Sequence, residues 1–213
     1  HSGNPPSHPQ LLAWLARDMK QHGYDLPRLI RGIALSDAYV RSSEWTLASD
    51  PPSSSYFAVA QARPLTPRQL AVSLKIASAK PDKWPAIDAG DEDWERERKS
   101  LEDQASSWAH EFEWPGENFQ IAVDEALFFS NNDRIYNDLL RDSGDSLIGQ
   151  LKQIKGQPQL IEMLWGVVLS RDPNELEIKA TTEWLNRETD DRTETIRQLT
   201  WTLLAGPEIR FNH

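Results

Sequence analysis

Apolar residues along this chain recur at spacings of three and four, the period of a helix with one buried stripe. The pattern is clearest at the start. Leu11, Leu12, Trp14, Leu15 and Met19 mark a stripe, while Arg17, Asp18, Lys20 and Gln21 fill the other face. Ser7 followed by Gln10 fits a capping box, and Pro9 falls in the first turn, where its missing N–H costs nothing. Gly23 suits a left-handed exit, with Lys20 and His22 near the negative end of the helix dipole. Asp25 before Pro27 opens a second helix with Leu29, Ile30, Ile33 and Ala34 on one stripe. So short a connection predicts an antiparallel hairpin packed through those two stripes.

The same reading carries through the rest of the chain. Ser49 to Ser55 is a Pro/Ser loop, and Tyr56 to Val59 is too short to build a sheet on. Thr66-Pro67-Arg68-Gln69 is a capping box opening a helix through Leu70, Leu74 and Ala77, broadened by Val72 and Ile76. After a Pro-containing loop, the acidic start at Asp91, Glu92 and Asp93 leads a charged helix carrying Trp94, Leu101, Ala105 and Trp108. Glu95 and Lys99 fit an i,i+4 ion pair there. Ile121 to Phe129 predicts a deeply buried helix, and Asn131-Asn132-Asp133 caps a short one over 134–140. Leu147, Ile148, Leu151 and Ile154 make another stripe. Leu160, Ile161, Leu164, Val167 and Val168 follow, apolar enough to be central to the second half. Asp172-Pro173-Asn174-Glu175 reads as a third capping box, and Asp190-Asp191 precedes a last helix ended by Gly206-Pro207.

Repeated caps and helical stripes without paired alternating strands predict an all-α fold. The expected architecture is an irregular bundle of about eight to ten short helices in one domain over 1–213. Within it lie a helical hairpin at 7–42, a loop at 43–65, helices over 66–110 and a helical C-terminal half at 117–206.

Charge and composition narrow the function. A net charge of -10 with no Lys/Arg cluster argues against a nucleic-acid binder. No apolar run has the length of a membrane span. The absence of cysteine removes disulfides, thiol nucleophiles and zinc–cysteine sites. Nine tryptophans serve first as core bulk, with an aromatic sugar-binding or partner-binding platform as the alternative. The chain starts at His1 without an initiator Met or signal peptide, which reads as a fragment or processed tail.

Pro6-Ser7-His8-Pro9 running into Leu11-Leu12-x-Trp14-Leu15-Ala16 resembles the signature of domain of unknown function 1553. Leu35-Ser36-x-x-Tyr39-x-x-Ser42-Ser43 is similar to that family's following segment. So is the last block, from Leu199-x-Trp201-x-Leu203-Leu204 to Phe211-Asn212-His213. Ala13 and Ala205-Gly206-Pro207 depart from the family pattern. The resemblance implies large secreted proteins known from planctomycetes, hence an exported, periplasmic or cell-surface location. It also implies an upstream companion domain with a Cys-x-x-Cys-His haem c attachment pattern, a cofactor this chain does not itself hold.

Candidate chemistry is sparse. Motif residues Ser7, His8, Pro9, Arg31, Tyr39 and His213 are the candidates, with no catalytic, cofactor or metal assignment among them. His8 fits a local role, fixing its turn with Ser7 or pairing with a carboxylate. His8 and His213 together would supply only two metal ligands. Arg28, Arg31 and Arg41 form a basic edge that reads as ion-paired to the acidic remainder. Carboxylate pairs such as Asp91/Asp93, Asp124/Glu125 and Glu175/Glu177 would need a cleft and separated pKa values to work as a glycosidase. Phosphate loops and hydrolase or metalloprotease motifs are absent. Two readings compete with a third. One is a non-catalytic module packing on an upstream domain of the same polypeptide. Another is part of an enzyme or binding protein acting on cell-envelope polysaccharide. The third is a scaffold that only oligomerises.

Overall fold

A computed structural model describes residues 5–41, 45, 49–50, 52–53, 56, 58–60, 62–85, 90–115, 129, 132–187 and 191–212. The fold is all-α. Backbone contacts divide the chain into two compact units, His1–Arg63 with His213, and Pro64–Asn212.

The first unit holds the hairpin of α1 (Pro9–Gln21) and α2 (Leu26–Ala34). Its connection is built locally. The Tyr24 N–H reaches back to the Met19 carbonyl at 2.9 Å, and both Gly23 (φ 63°) and Tyr24 (φ 64°) are left-handed. Glycine adopts that conformation freely; the tyrosine beside it does so at a cost of about 1 kcal/mol. Asp25 then caps α2 by accepting the Arg28 N–H at 3.0 Å. The other end differs from expectation. His8, not Ser7, is the N-cap of α1 and makes no side-chain cap bond, while Ser7 Oγ lies 3.0 Å from His8 Nδ1. The predicted Ser7/Gln10 box is therefore absent. Helix also ends at Ala34, short of residue 42, and turns with one bend occupy 35–40.

The stripes of the hairpin do not bury one another. Leu15, Met19 and Leu29 are half-buried. Leu12, Trp14 and Ile30 remain 55%, 56% and 57% exposed, and Leu11, Leu26 and Ile33 are exposed as well. Two helices of 13 and 9 residues touch along one line. A stripe about 100° wide on each helix is broader than that line, so most of both stripes stays outside it. An ion pair holds the helices together: Arg28 donates to both carboxylate oxygens of Asp18, at 2.7 and 3.2 Å.

The second unit contains α3 (Pro67–Ser78), α4 (Asp91–Ala109), α5 (Leu147–Leu151), α6 (Gln157–Leu169), α7 (Glu175–Leu185) and α8 (Arg192–Leu204). Helix α6 is central, as its pattern predicts: Leu160, Ile161, Leu164, Trp165 and Val168 are buried, and it packs on α3, α5, α7 and α8. Helix α3 lies along α4. It carries the predicted capping box, Thr66 with Gln69, and buries Leu70, Leu74 and Ala77, whereas Ile76 stays exposed. On α4, Ala105 and Trp108 are buried, and Arg98, not Lys99, takes Glu95 at 2.6 Å. The third capping box is displaced two residues from the predicted position: Asn174 caps α7 and Glu177 completes the reciprocal pair. Asp191 caps α8 through the Thr193 and Glu194 N–H groups. The Leu65 N–H closes this unit on the Arg210 carbonyl at 2.7 Å. Of the buried helix expected over 121–129, only Phe129 is among the described residues; it is helical and buried.

Between α4 and α5 runs a π-helical turn, Ile135–Leu139, where the sequence predicts an ordinary short helix. Its signature is the Leu140 N–H reaching the Ile135 carbonyl, five residues back, at 3.0 Å. The wider turn places Ile135 and Leu139 in the core. Tyr136 meanwhile reaches Glu194 on α8, and Asp138 reaches Trp108 on α4.

Candidate functional site

The motif residues lie in the first unit. Ser7 and His8 touch, and the His8 ring meets Tyr56 edge-on at 6.4 Å between centroids. Tyr56 carried no sequence signal, because its partner is 48 positions away and belongs to no local pattern. Pro9 occupies the first turn of α1. Arg31 stands in the last turn of α2, where a cation complements the helix dipole, and makes no ion pair among the described residues. Tyr39 is exposed, its N–H bonded to the Ser36 carbonyl. His213 lies outside the described residues. Arg28, read as a cation for the acidic remainder, is instead spent on Asp18 inside the hairpin, and holds that carboxyl below its ordinary value. Arg41 donates to the Ala58 carbonyl at 3.0 Å.

The surface around these groups is apolar. Leu26, Ile30 and Ile33 fall at i, i+4 and i+7 on α2 and share one face. With Leu11, Leu12 and Trp14 of α1 they make six large apolar side chains of the hairpin that stay 42–57% exposed. These side chains offer apolar contact area rather than a nucleophile or a general acid.

The second unit offers a polar cluster. Asp138 in the π turn accepts from Lys75 Nζ of α3 at 2.5 Å and from Trp108 Nε1 of α4 at 2.9 Å, both on Oδ2. Lys75 Nζ lies 5.3 Å from the centroid of the Trp108 ring, and the Arg134 guanidinium 4.6 Å from it. Arg134 is fixed by Glu111 and by Ser107. One carboxylate therefore braces three elements. The adjoining cleft, lined by Lys75, Lys83, Gln104, Asp138, Arg141 and Asp145, holds about 30 Å3. That is room for a water or two, far below the ~300 Å3 at which ligand pockets begin. Ser143 and then Arg141 hold Asp145 below its ordinary value, so this carboxyl is ionised rather than poised as an acid.

Two further clusters are structural. Tyr136 donates to Glu194 Oε2 on α8, with Arg197 beside its ring; the Glu194 carboxylate, then burial, raise the phenol above its ordinary value. Arg171, after α6, forks onto Glu177 at 2.8 and 2.9 Å and onto Glu208 at 2.5 and 2.7 Å, while its guanidinium lies 5.0 Å from the Trp165 ring. Sequence reasoning missed this clamp, since Arg171 and Glu208 are separated by 37 positions. Among the described residues no cluster of His, Asp or Glu has the makings of a metal site. No described helix is long and apolar enough to cross a membrane. Of the tryptophans, Trp14, Trp94 and Trp114 are the exposed ones among the described residues, and none of them lines the cleft.

Comparison with curated proteins and with solved structures gave no match. A family match covers residues 1–111, that is, the hairpin unit and the α3–α4 pair; the likeness of the last block, 199–213, stands outside it. With over half of its length matched, and with the apolar hairpin inside the matched part, this chain belongs to the PSD1 family of proteins of unknown function, DUF1553.

Proposed function

We propose that this chain is a non-catalytic helical module that works by docking, with the α1–α2 hairpin as its contact face. The observation that carries this reading is the unburied apolar stripe on a two-helix element that cannot enclose it. The resemblance to secreted proteins supplies the setting. The module belongs to an exported multidomain protein and packs on an upstream domain of the same polypeptide, one bearing haem c. The small cleft of the second unit and the ionised, fully engaged carboxylates around it support a structural rather than a chemical role for that unit.

Titration calorimetry between the separately produced upstream region and this chain tests the reading. Binding that Ile30→Asp abolishes, with the helical circular dichroism of the variant intact, supports it. Absence of binding with the unaltered chain refutes it.

A further inference from the structure

The π turn reads Ile135-Tyr136-Asn137-Asp138-Leu139, without the glycine or proline that would disfavour an ordinary α turn. The chain nevertheless takes the rarer π form, so the constraint comes from the rest of the second unit. On one side Asp138 accepts from Lys75 of α3 and from Trp108 of α4. On the other, Arg197 of α8 donates from Nε to the Leu140 carbonyl at 3.1 Å and from Nη1 to the Tyr136 hydroxyl at 3.3 Å. The core is the third constraint, since Ile135, Leu139 and Leu140 are all buried. Successive residues of an α-helix turn by about 100°, so α spacing would leave Leu140 about 140° round from Ile135. The Leu140 N–H on the Ile135 carbonyl, five residues back, returns Leu140 to the side of Ile135.

We propose that this turn is a register latch between the α3–α4 pair and α8, closed by Asp138. The proposal stands apart from the docking reading of the hairpin. With Asp138 engaged, the turn is π and Leu140 is in the core. With Asp138 released, the Leu140 N–H passes from the Ile135 carbonyl to the Tyr136 carbonyl, the ordinary α partner. Leu140 then rotates away from the core, and its own carbonyl leaves Arg197. A route to release is present. Asp138 is half-buried and, with Lys75, lines the cleft that admits a water or two, so solvent reaches the pair without unfolding. A carboxylate serving two donors and one buried leucine side chain contribute similar amounts to stability. Losing the first therefore brings the two registers close in free energy.

The test is NMR on the full 213-residue chain, deuterated and isotope-labelled, reading the scalar coupling that crosses a hydrogen bond from amide nitrogen to carbonyl carbon. In the unaltered chain the Leu140 nitrogen should couple to the Ile135 carbonyl carbon. In Asp138→Ala a coupling to the carbonyl carbon of residue 136 should appear, and the Arg197 Nε proton should lose its protection from solvent exchange. Asp138→Asn, which keeps the size of the side chain, should show the same shift in smaller proportion. Tyr136→Phe loses the bond to Glu194 but leaves Asp138 engaged, and should keep the coupling to Ile135. A coupling that stays on Ile135 in folded Asp138→Ala and Asp138→Asn overturns the latch. Unfolding of both variants by circular dichroism overturns it as well, because a turn released only with the whole unit is a brace. An equal shift in Tyr136→Phe overturns the assignment to Asp138.

Discussion

Replacing Arg171 tests how the second unit holds its C-terminal end. The guanidinium makes two bidentate forks, to Glu177 on α7 and to Glu208 in the terminal turn, and packs by the Trp165 ring on α6. The side chains of Arg171, Glu177 and Glu208 are 36%, 24% and 32% exposed, so solvent screens the pairs in part. Charge-assisted forks of this kind contribute about 1 kcal/mol each after that discount, and the contact with the indole about 0.5 kcal/mol more. Arg171→Ala should therefore cost about 2–3 kcal/mol, leaving two carboxylates facing each other without a cation. For a unit of this size that is a fall in Tm of about 5–10 °C. Arg171→Lys should recover less than half, since a point charge cannot serve two forks.

The pH dependence supplies an independent check on the same clamp. The Arg171 hydrogen bonds, ahead of the cap bond at Asn174, hold the Glu177 carboxyl below its ordinary 4.5, while Arg171 itself stays charged throughout. A carboxyl depressed in the folded state contributes stability that is present above its unfolded pKa and lost as pH falls through its folded pKa. The deficit of Arg171→Ala measured by urea unfolding should thus be full at pH 7, persist to about pH 5, and shrink toward pH 3. A deficit under about 1 kcal/mol, or one equal at pH 7 and pH 3, would refute the clamp as an electrostatic device.

Three other outcomes follow from particular contacts. A Cβ on Gly149 would stand 1.8 Å from the Ser143 carbonyl oxygen, so Gly149→Ala should displace the turn before α5 and lower stability by at least about 2 kcal/mol in thermal unfolding. Trp108→Phe deprives Asp138 of the indole N–H and also shrinks a fully buried ring, and should cost about 2–4 kcal/mol by urea unfolding. Asn174→Ala removes both bonds to the first turn of α7 and should cost about 1 kcal/mol, seen as faster amide exchange at Leu176 and Glu177.

Much of this molecule is legible in the chain because helices announce themselves locally. Thr66 with Gln69, Asp25 with Arg28, Asp191 with Glu194, and the left-handed Gly23 all act within four residues, so the chain alone specifies those starts and stops. The stripe of α6 is apolar enough to imply a central position, and that is where it lies. Register is less secure. The cap of α7 sits two residues beyond the predicted one, because Asn174 with Glu177 satisfies two N–H groups and draws a reciprocal bond back to its own.

Tertiary placement decided the rest. Lys75 and Asp138 are 63 positions apart, and only the packing of α3 and α4 beside the π turn brings them together. The π turn itself leaves no mark in an apolar spacing that suits an ordinary helix equally well. The hairpin shows the limit most plainly. Periodicity states that α1 and α2 each have an apolar face, but burial is a property of what lies opposite, and two short helices are too narrow to cover each other. That remainder of uncovered surface is invisible in the pattern, because periodicity records which face is apolar and not what lies against it.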